Sequence, residues 1–340
     1  MENERQPLRT YITFDYELFL GKQTGSVEAC LIYPTQELLK ISEKLEGLKY
    51  VFFVDSLYLL KLKEFSDQFQ RLMRDWIAVT DQLRNLVRNG HDVQLHLHPQ
   101  WYYSTFDKEN NKWVLDFNHY KITDCPVHDV EKMLSESILL LEQIVGYKPT
   151  AYRAGGYSFP TEIEYVRLFE QYGISKDSSV FSGKKAIGAF QTYDYSSIRN
   201  SHTFKFATIP SVADKNGYFT EYPISVLPLS PIRYFISTFK ERRAHKSEMI
   251  IMGDGSGVGA ILPIWIRLMT LISRFFRPVL MPASIDSSNA MWLNRVYENV
   301  IKTKGDTLVV IGHPKNFTPY GLAKLKEFVK GHDSVYMTFR

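Results

Sequence analysis

Short β-rich runs alternate with amphipathic helical runs along most of this chain. Period-two alternation marks a strand and a 3.6-residue period marks a helix, because those are the repeats at which side chains return to one face. On that reading Tyr11 to Phe14 is a strand, Pro34 to Leu48 a helix and Tyr50 to Val54 a second strand. A long helical region runs to about Arg88 and stops at Asn89-Gly90. Asp92 to Leu97 is a third strand. Pro126 to Ile144 is a helix ended by Gly146, a residue suited to the left-handed conformation that closes helices. Ala151 to Arg153 is a short strand and Glu162 to Tyr172 a helix. Ile174 to Val180 and Glu221 to Val226 are further strands. A helix from Ala290 to Lys302, a strand from Leu308 to Gly312, a helix from Leu322 to Val329 and a strand from Val335 to Phe339 complete the series.

Repeated strand–helix units imply parallel strands joined by helical crossovers. About seven such units suit a distorted (β/α)7 barrel, an α/β fold, better than an open doubly wound sheet, although periodicity alone leaves both open. One domain over residues 1–340 is expected. Two stretches break the alternation, at about 101–125 and 227–286. Both are expected to be insertions on the C-terminal face of the barrel, where active-site loops sit.

Composition narrows the function classes. The 340 residues include 44% hydrophobic and 23% charged positions, ordinary for a globular protein with a sizeable core. The formal charge of +4 is spread along the chain. It does not form the basic stripe of a nucleic-acid binder, but it admits anionic substrates or an acidic membrane surface. The 21 Tyr, 22 Phe and 5 Trp suit sugar stacking and core packing equally. Two cysteines, Cys30 and Cys125, imply no disulfide framework. The polar N-terminal stretch lacks the apolar core of a signal peptide, so a cytoplasmic location is expected.

Four constellations carry chemistry. In Thr13-Phe14-Asp15-Tyr16-Glu17, two carboxylates two residues apart share one side of an extended chain. They are either solvated acids or a pair in which one binds a cation and the other acts as base. In His91-Asp92-Val93-Gln94-Leu95-His96-Leu97-His98-Pro99, His96 and His98 share a face while His91 has the opposite parity and is expected to be structural. Two such imidazoles make half of a zinc-type site, or a hydrogen-bonded core pair. Tyr152-Arg153-Ala154-Gly155-Gly156-Tyr157 places an arginine where it could hold Asp15 ionised. Val309-Val310-Ile311-Gly312-His313-Pro314 delivers a histidine, the natural proton donor to a leaving amine. All four sit at the C-terminal ends of separate predicted strands, and a barrel brings those ends to one mouth. Chance would scatter them between both ends.

The order of these motifs resembles the polysaccharide deacetylase family, the NodB-like carbohydrate esterases, from Thr13 to His313. The nearest match is a variant branch associated with cell-surface polysaccharide synthesis. The resemblance implies a divalent metal, most often Zn2+, held by Glu17, His96 and His98. It implies Asp15 as base, Arg153 as its partner and His313 as general acid. Glu221, in a segment resembling a site-lining strand, is expected near substrate, as are Tyr157 and Trp101; the backbone N–H of Tyr157 is a candidate oxyanion donor. Two departures stand out: Tyr16 separates the two acids, and Gln100 stands where the second ligand histidine usually lies, so that role passes to His98. The expected function is removal of an N-acetyl or O-acetyl group from a sugar of a cell-surface polysaccharide or its precursor. Two alternatives remain open: another metal-dependent amide hydrolase on the same scaffold, and a non-catalytic glycan-binding or assembly protein.

One further segment bears on partners. In the apolar run Ile261 to Leu280, the residues Arg267, Thr270, Arg274 and Arg277 fall on one helical face. The run reads either as an interfacial helix approaching a lipid-linked glycan, with peripheral membrane contact, or as a buried helix of the insertion.

Overall fold

A computed structural model describes residues 7–188, 190–199, 202–257 and 278–340. Nine strands form the main sheet: β1 (Leu8–Tyr16), β2 (Val51–Asp55), β3 (Asp92–Leu97), β4 (Ala151–Ala154), β5 (Lys176–Asp177), β6 (Phe204–Phe206), β7 (Phe219–Glu221), β8 (Thr307–Gly312) and β9 (Ser334–Tyr336). Their order is β6-β7-β5-β4-β3-β2-β1-β8, with β9 paired to the first residues of β1. Every pairing is parallel except β6 with β7.

Irregular backbone links the two ends of this curled sheet. Ile224 bridges Phe181 and its N–H donates to Val180 O at 2.8 Å. Ser225 N then reaches Val309 O on β8 (3.2 Å), Ala283 N reaches Ser225 O (2.8 Å) and Ile311 N reaches Ala283 O (2.8 Å). The result is a distorted α/β barrel closed by single hydrogen bonds where a ladder would otherwise run. Pro223 accounts for part of the distortion. Glu221 to Val226 was expected to be one strand, but a proline cannot donate to a ladder. Pairing with β5 ends at Glu221, and Val226–Leu229 pairs instead with Val279–Pro282.

Alternation decides which residues face inward. Tyr11 of β1, Val51 and Phe53 of β2, Ala151 of β4 and Val309 and Ile311 of β8 pack together inside the barrel. The residues between them, including Ile12, Phe14, Phe52, Val54, Val93, Leu95, Tyr152 and Val310, belong to the outer layer under the helices. Those helices are α1 (Tyr33–Ser42), α2 (Ser56–Ser66), α3 (Gln70–Arg88), α4 (Val127–Val145), α5 (Ile163–Gln171), α7 (Leu293–Lys302) and α8 (Pro319–Gly331); α6 (Pro231–Ala244) lies apart from this layer. On α3, Leu72, Val79, Leu83 and Leu86 are buried at helical spacing, and α4 closes at Gly146 in the left-handed conformation (φ 84°). The single helical region expected before Arg88 is two helices. Phe69 is extended between them, with its ring against Phe65 and Phe106.

At the N-terminal end of the strands the barrel is plugged. Phe339 stacks on Tyr11 with ring centroids 5.0 Å apart, and its N–H donates to the Asp92 carboxylate at 2.8 Å. At the other end the two excursions form hairpins, Thr105–Asp107 with Lys112–Val114 and Val226–Leu229 with Val279–Pro282; α6 belongs to the second. A third hairpin, Lys185–Ile187 with Thr192–Asp194, has no counterpart in the sequence reading. Most of the Ile261–Leu280 run, with Arg267, Thr270, Arg274 and Arg277, lies outside the described residues; Leu280 itself is in a strand. Among the described residues no helix is long and apolar enough to cross a membrane.

His91 is structural, as its parity implies. Its ring stacks on Tyr50 and Nδ1 accepts the Tyr50 N–H at 3.1 Å. Burial, helped by Lys49, lowers its pKa to about 4. The unfolded chain therefore binds the extra proton between the ordinary value of 6.5 and about 4. The contribution of His91 to stability is complete above that window and is lost as the pH falls through it. At pH 5 the loss should be about 2 kcal/mol. Urea unfolding at pH 7.5 and pH 5 should show a smaller difference for His91→Asn than for the parent; equal differences would rule out His91 as the group responsible.

Candidate metal and catalytic site

Five parallel strands end at one mouth, and each delivers a polar side chain there. Register explains the meeting: Asp15 lies opposite Phe53, Asp55 opposite His96, and His96 opposite Arg153. Asp15, Glu17, His96, His98, Tyr157 and His313 all line a cavity of about 320 Å³.

Arg153 is fully buried and tied on every side. Nη1 donates to Asp15 Oδ1 at 2.7 Å and Nη2 to Thr13 Oγ1 at 2.8 Å and Ser178 Oγ at 2.9 Å. Nε donates to Ser178 O at 2.9 Å, and the guanidinium lies 4.3 Å from the centre of the Phe53 ring. Burial by itself would raise the pKa of Asp15. The Arg153 guanidinium, with His96 and His313, outweighs it and holds the carboxyl below its ordinary value.

Glu17, His96 and His98 form a second group. Glu17 Oε2 is 2.6 Å from His98 Nε2 and 3.3 Å from His96 Nε2, and one donor atom from each residue falls within 4.8 Å of the others. A tetrahedral zinc with bonds near 2.05 Å needs donors about 3.3 Å apart, so small adjustments would admit an ion. The chemistry of the donors fits too. His96 Nδ1 is 2.7 Å from Arg153 O, which fixes a proton on Nδ1. Burial would lower the His96 pKa, but the Asp15 and Glu17 carboxylates raise it to about 9, so Nε2 donates to Glu17 Oε2 at 3.3 Å, and a metal ion would take the place of that proton. His98 is seated closely against Gly155, where an added Cβ would fall 2.6 Å from Leu97 O and 2.7 Å from the His98 ring. That close approach is what the glycine permits. Gln100 lines the cavity, but His98 is the residue beside Glu17.

His313 completes the mouth. Asp286 accepts from both its backbone N–H (2.8 Å) and its Nδ1 (2.6 Å), which turns Nε2 toward Asp15 Oδ2 at 3.5 Å. Burial would lower the histidine's pKa; the Asp286 carboxylate beside it reverses the sign and raises it. Tyr157 faces the cavity with φ +63°, a conformation rare for a residue other than glycine.

Three residues at this mouth were absent from the sequence reading. Lys315 Nζ donates to Glu17 Oε1 at 2.9 Å and Leu18 O at 2.8 Å from a buried position. It lies in the short helical turn Pro314–Asn316 that follows His313, where strand alternation no longer applies, so no period in the sequence marks it. Asp55 ends β2 as the other acids end theirs. Its Oδ1 accepts the His98 N–H at 3.3 Å, and burial, offset in part by His98 and His96, raises its pKa to about 6. Asp286 arrives from an insertion and left no signal.

Two expected substrate contacts are elsewhere. Trp101 is fully buried against Tyr58 and Trp113, because the short helical turn Pro99–Trp101 points it back into the aromatic core of the first insertion. Glu221 is also fully buried, beside Asp177, and its Oε1 accepts the Val180 N–H at 3.1 Å. From the first excursion it is Tyr120 that reaches the cavity, with Phe190 and Gln191 from the third hairpin and Gly257 from the second excursion.

No family model matches this sequence, and no curated protein matches it. Among solved structures, a Mycobacterium smegmatis protein classed as a polysaccharide deacetylase aligns with 96% of this chain over 84% of its own, at 16% identity and a TM-score of 0.50. The fold is that of the polysaccharide deacetylases. A family 4 carbohydrate esterase from Streptomyces lividans, solved with acetate, aligns with 50% of this chain at 16% identity and a TM-score of 0.29; the match spans 62% of that protein. A GH57 branching enzyme from Thermococcus kodakaraensis aligns with 96% of this chain and 69% of its own, at 10% identity and a TM-score of 0.49. Within the deacetylase fold, the buried Glu17, His96 and His98 form a cluster able to hold a metal ion.

Zinc titration followed by metal analysis checks the donor set. The parent and Gln100→Ala should each take up one ion, and His98→Ala should lose affinity by at least about tenfold. The reverse ranking would move the site to Gln100. Lys315 makes a separate expectation. Removing one partner of a buried ion pair costs about 3 kcal/mol or more. Lys315→Met should therefore lower the melting temperature of metal-free protein clearly, and added zinc should recover part of the loss by supplying a replacement cation for Glu17. An unchanged melting temperature would contradict this.

Proposed function

We propose that this chain is a metal-dependent hydrolase that removes an acetyl group, in the first instance N-acetyl, from a sugar of a cell-surface polysaccharide or its precursor. One observation carries the reading: a carboxylate held ionised by a buried guanidinium lies 3.5 Å from a carboxylate-bound histidine, in a cavity also lined by three residues able to hold a metal ion. The likeness in fold to a protein classed as a polysaccharide deacetylase supports the substrate class. So do the aromatic side chains of Phe19, Tyr120, Tyr157 and Phe190 on the cavity wall, which can stack on sugar faces.

Glu17, His96 and His98 would hold the ion, zinc being the metal best suited to one carboxylate and two imidazoles. When bound, such an ion acidifies water and polarises an acyl oxygen. Asp15 then takes the proton from the attacking water. Oδ1 is bonded to Arg153, so Oδ2, which faces the cavity and His313, is the atom that receives it. Arg153 keeps that carboxylate ionised and fixed in rotation. Asp286 holds the proton of His313 Nδ1, so a protonated ring presents its Nε2–H to the cavity, where a departing sugar amine would collect it.

Acetate release from N-acetylated and O-acetylated oligosaccharides tests the reaction. Asp15→Asn should keep its zinc and lose about 10²- to 10⁴-fold in turnover, the usual contribution of a positioned base. Near-normal turnover would remove Asp15 from that role, and release of ammonia or ring opening without acetate would favour a different amide substrate. The pH profile gives a second check. The reaction needs Asp15 ionised and His313 protonated, so activity should fall on the alkaline side as His313 loses its proton. Asp286→Asn removes the carboxylate that raises the His313 pKa, and should move that alkaline limb to lower pH; an unmoved limb would assign it to another group.

A further inference from the structure

Helix α6 has two faces of opposite character. Tyr234, Thr238, Glu241 and Arg242 anchor it. Tyr234 packs with Leu229, Met281 and Trp292, and Thr238 is buried. Glu241 accepts from the Tyr320 hydroxyl, and Arg242 Nε donates to Ser288 Oγ at 3.1 Å. At about 100° per residue these positions fall on one side of the helix. Ile232, Ile236 and Phe239 fall on the other, at spacings of four and three, and are 73%, 51% and 68% exposed. Among the described residues this stripe is left largely uncovered, which is unusual on a water-facing helix. Its surroundings are basic: Arg233, Lys240, Arg243 and Lys246 are all exposed. Between Pro231 and Lys246 the chain carries five Lys or Arg and a single acid, Glu241, which is engaged with Tyr320.

We propose that α6 docks on a bilayer containing anionic lipid, with Ile232, Ile236 and Phe239 entering the acyl boundary and the flanking Arg and Lys side chains lying among the headgroups. An apolar stripe bordered by cations is the pattern of a helix that lies in the membrane plane. The charge also argues against a second copy of this chain as occupant, because a symmetric pairing of the stripes would bring two basic rims together. The chain leaving α6 returns to the mouth, with Met252 N bonded to Phe317 O (2.9 Å) and Gly253 N to Lys315 O (3.1 Å), and reaches the cavity wall at Gly257. The membrane-facing helix and part of the cavity wall are thus one excursion. The surface is distinct from the metal cluster, so the inference stands whether or not the chain is a deacetylase.

Co-sedimentation with phosphatidylcholine vesicles, with and without phosphatidylglycerol, tests the proposal on the full chain. Partition into the mixed vesicles should exceed partition into phosphatidylcholine alone and should weaken at high salt. The doubly substituted Lys240→Glu/Arg243→Glu protein should lose at least about tenfold in partition, since each basic residue at an anionic surface contributes about fivefold. Ile236→Asp with Phe239→Asp should abolish partition while circular dichroism and zinc uptake stay as in the parent, because both side chains are outside the core. The proposal is overturned if the parent does not partition into the mixed vesicles, or if these variants partition as it does. It is equally overturned if light scattering shows a dimer in solution that the aspartate variants dissolve, which would assign the stripe to a second copy.

Discussion

The buried guanidinium of Arg153 is the joint on which the site depends. Its N–H groups satisfy Asp15, Thr13 and Ser178, while the carbonyl of the same residue fixes the tautomer of His96. One residue on β4 therefore positions the candidate base on β1 and a candidate metal donor on β3. A buried cation is tolerated only when its donors are matched and its charge is offset. Both conditions are met here, through Asp15, Thr13 and Ser178.

Beneath that joint lies a gradient along the barrel axis. The interior positions at the N-terminal end are mainly aromatic and aliphatic: Tyr11, Phe339, Val51 and Ala151 pack together, beside the buried Asp92 carboxylate that accepts the Phe339 N–H. One or two pleats further on, Thr13, Gln94 and Arg153 join Phe53 and Ile311, and the rim positions are Asp15, Asp55, His96 and His313. Parallel strands make this possible: every strand presents its C-terminal end on the same side, so a polar residue late in each strand enlarges one site. The outward alternate positions are mostly apolar and hold the helices; Thr10 is an exception, its hydroxyl donating to Ser334 Oγ at 3.1 Å.

Three of the four acids at the rim have a cationic partner, Asp55 being the fourth. Asp15 faces Arg153, Glu17 faces Lys315 and Asp286 faces His313, each within hydrogen-bond distance. Acids gathered this closely would otherwise repel each other or take up protons. Lys315 is the least expected member, a buried lysine on the oxygen of Glu17 that His98 leaves free.

Much of this was legible in the amino-acid order because it rests on local rules. Period two placed Asp15 with Glu17 and His96 with His98, and assigned His91 to packing; strand–helix alternation favoured a barrel over an open sheet without showing closure. Trp101 and Glu221 went astray because hydrophobic and polar character does not say whether a side chain at a strand end turns toward the mouth or back into the core. Asp286 and Lys315 illustrate the same boundary. Sequence determined which residues share a face and which end of each strand carries chemistry, since those follow from backbone geometry. Tertiary structure alone decided that an aspartate from an insertion meets His313 and that His98 and Glu17 come within 2.6 Å. Those distances depend on how far-separated segments pack, which no local period encodes.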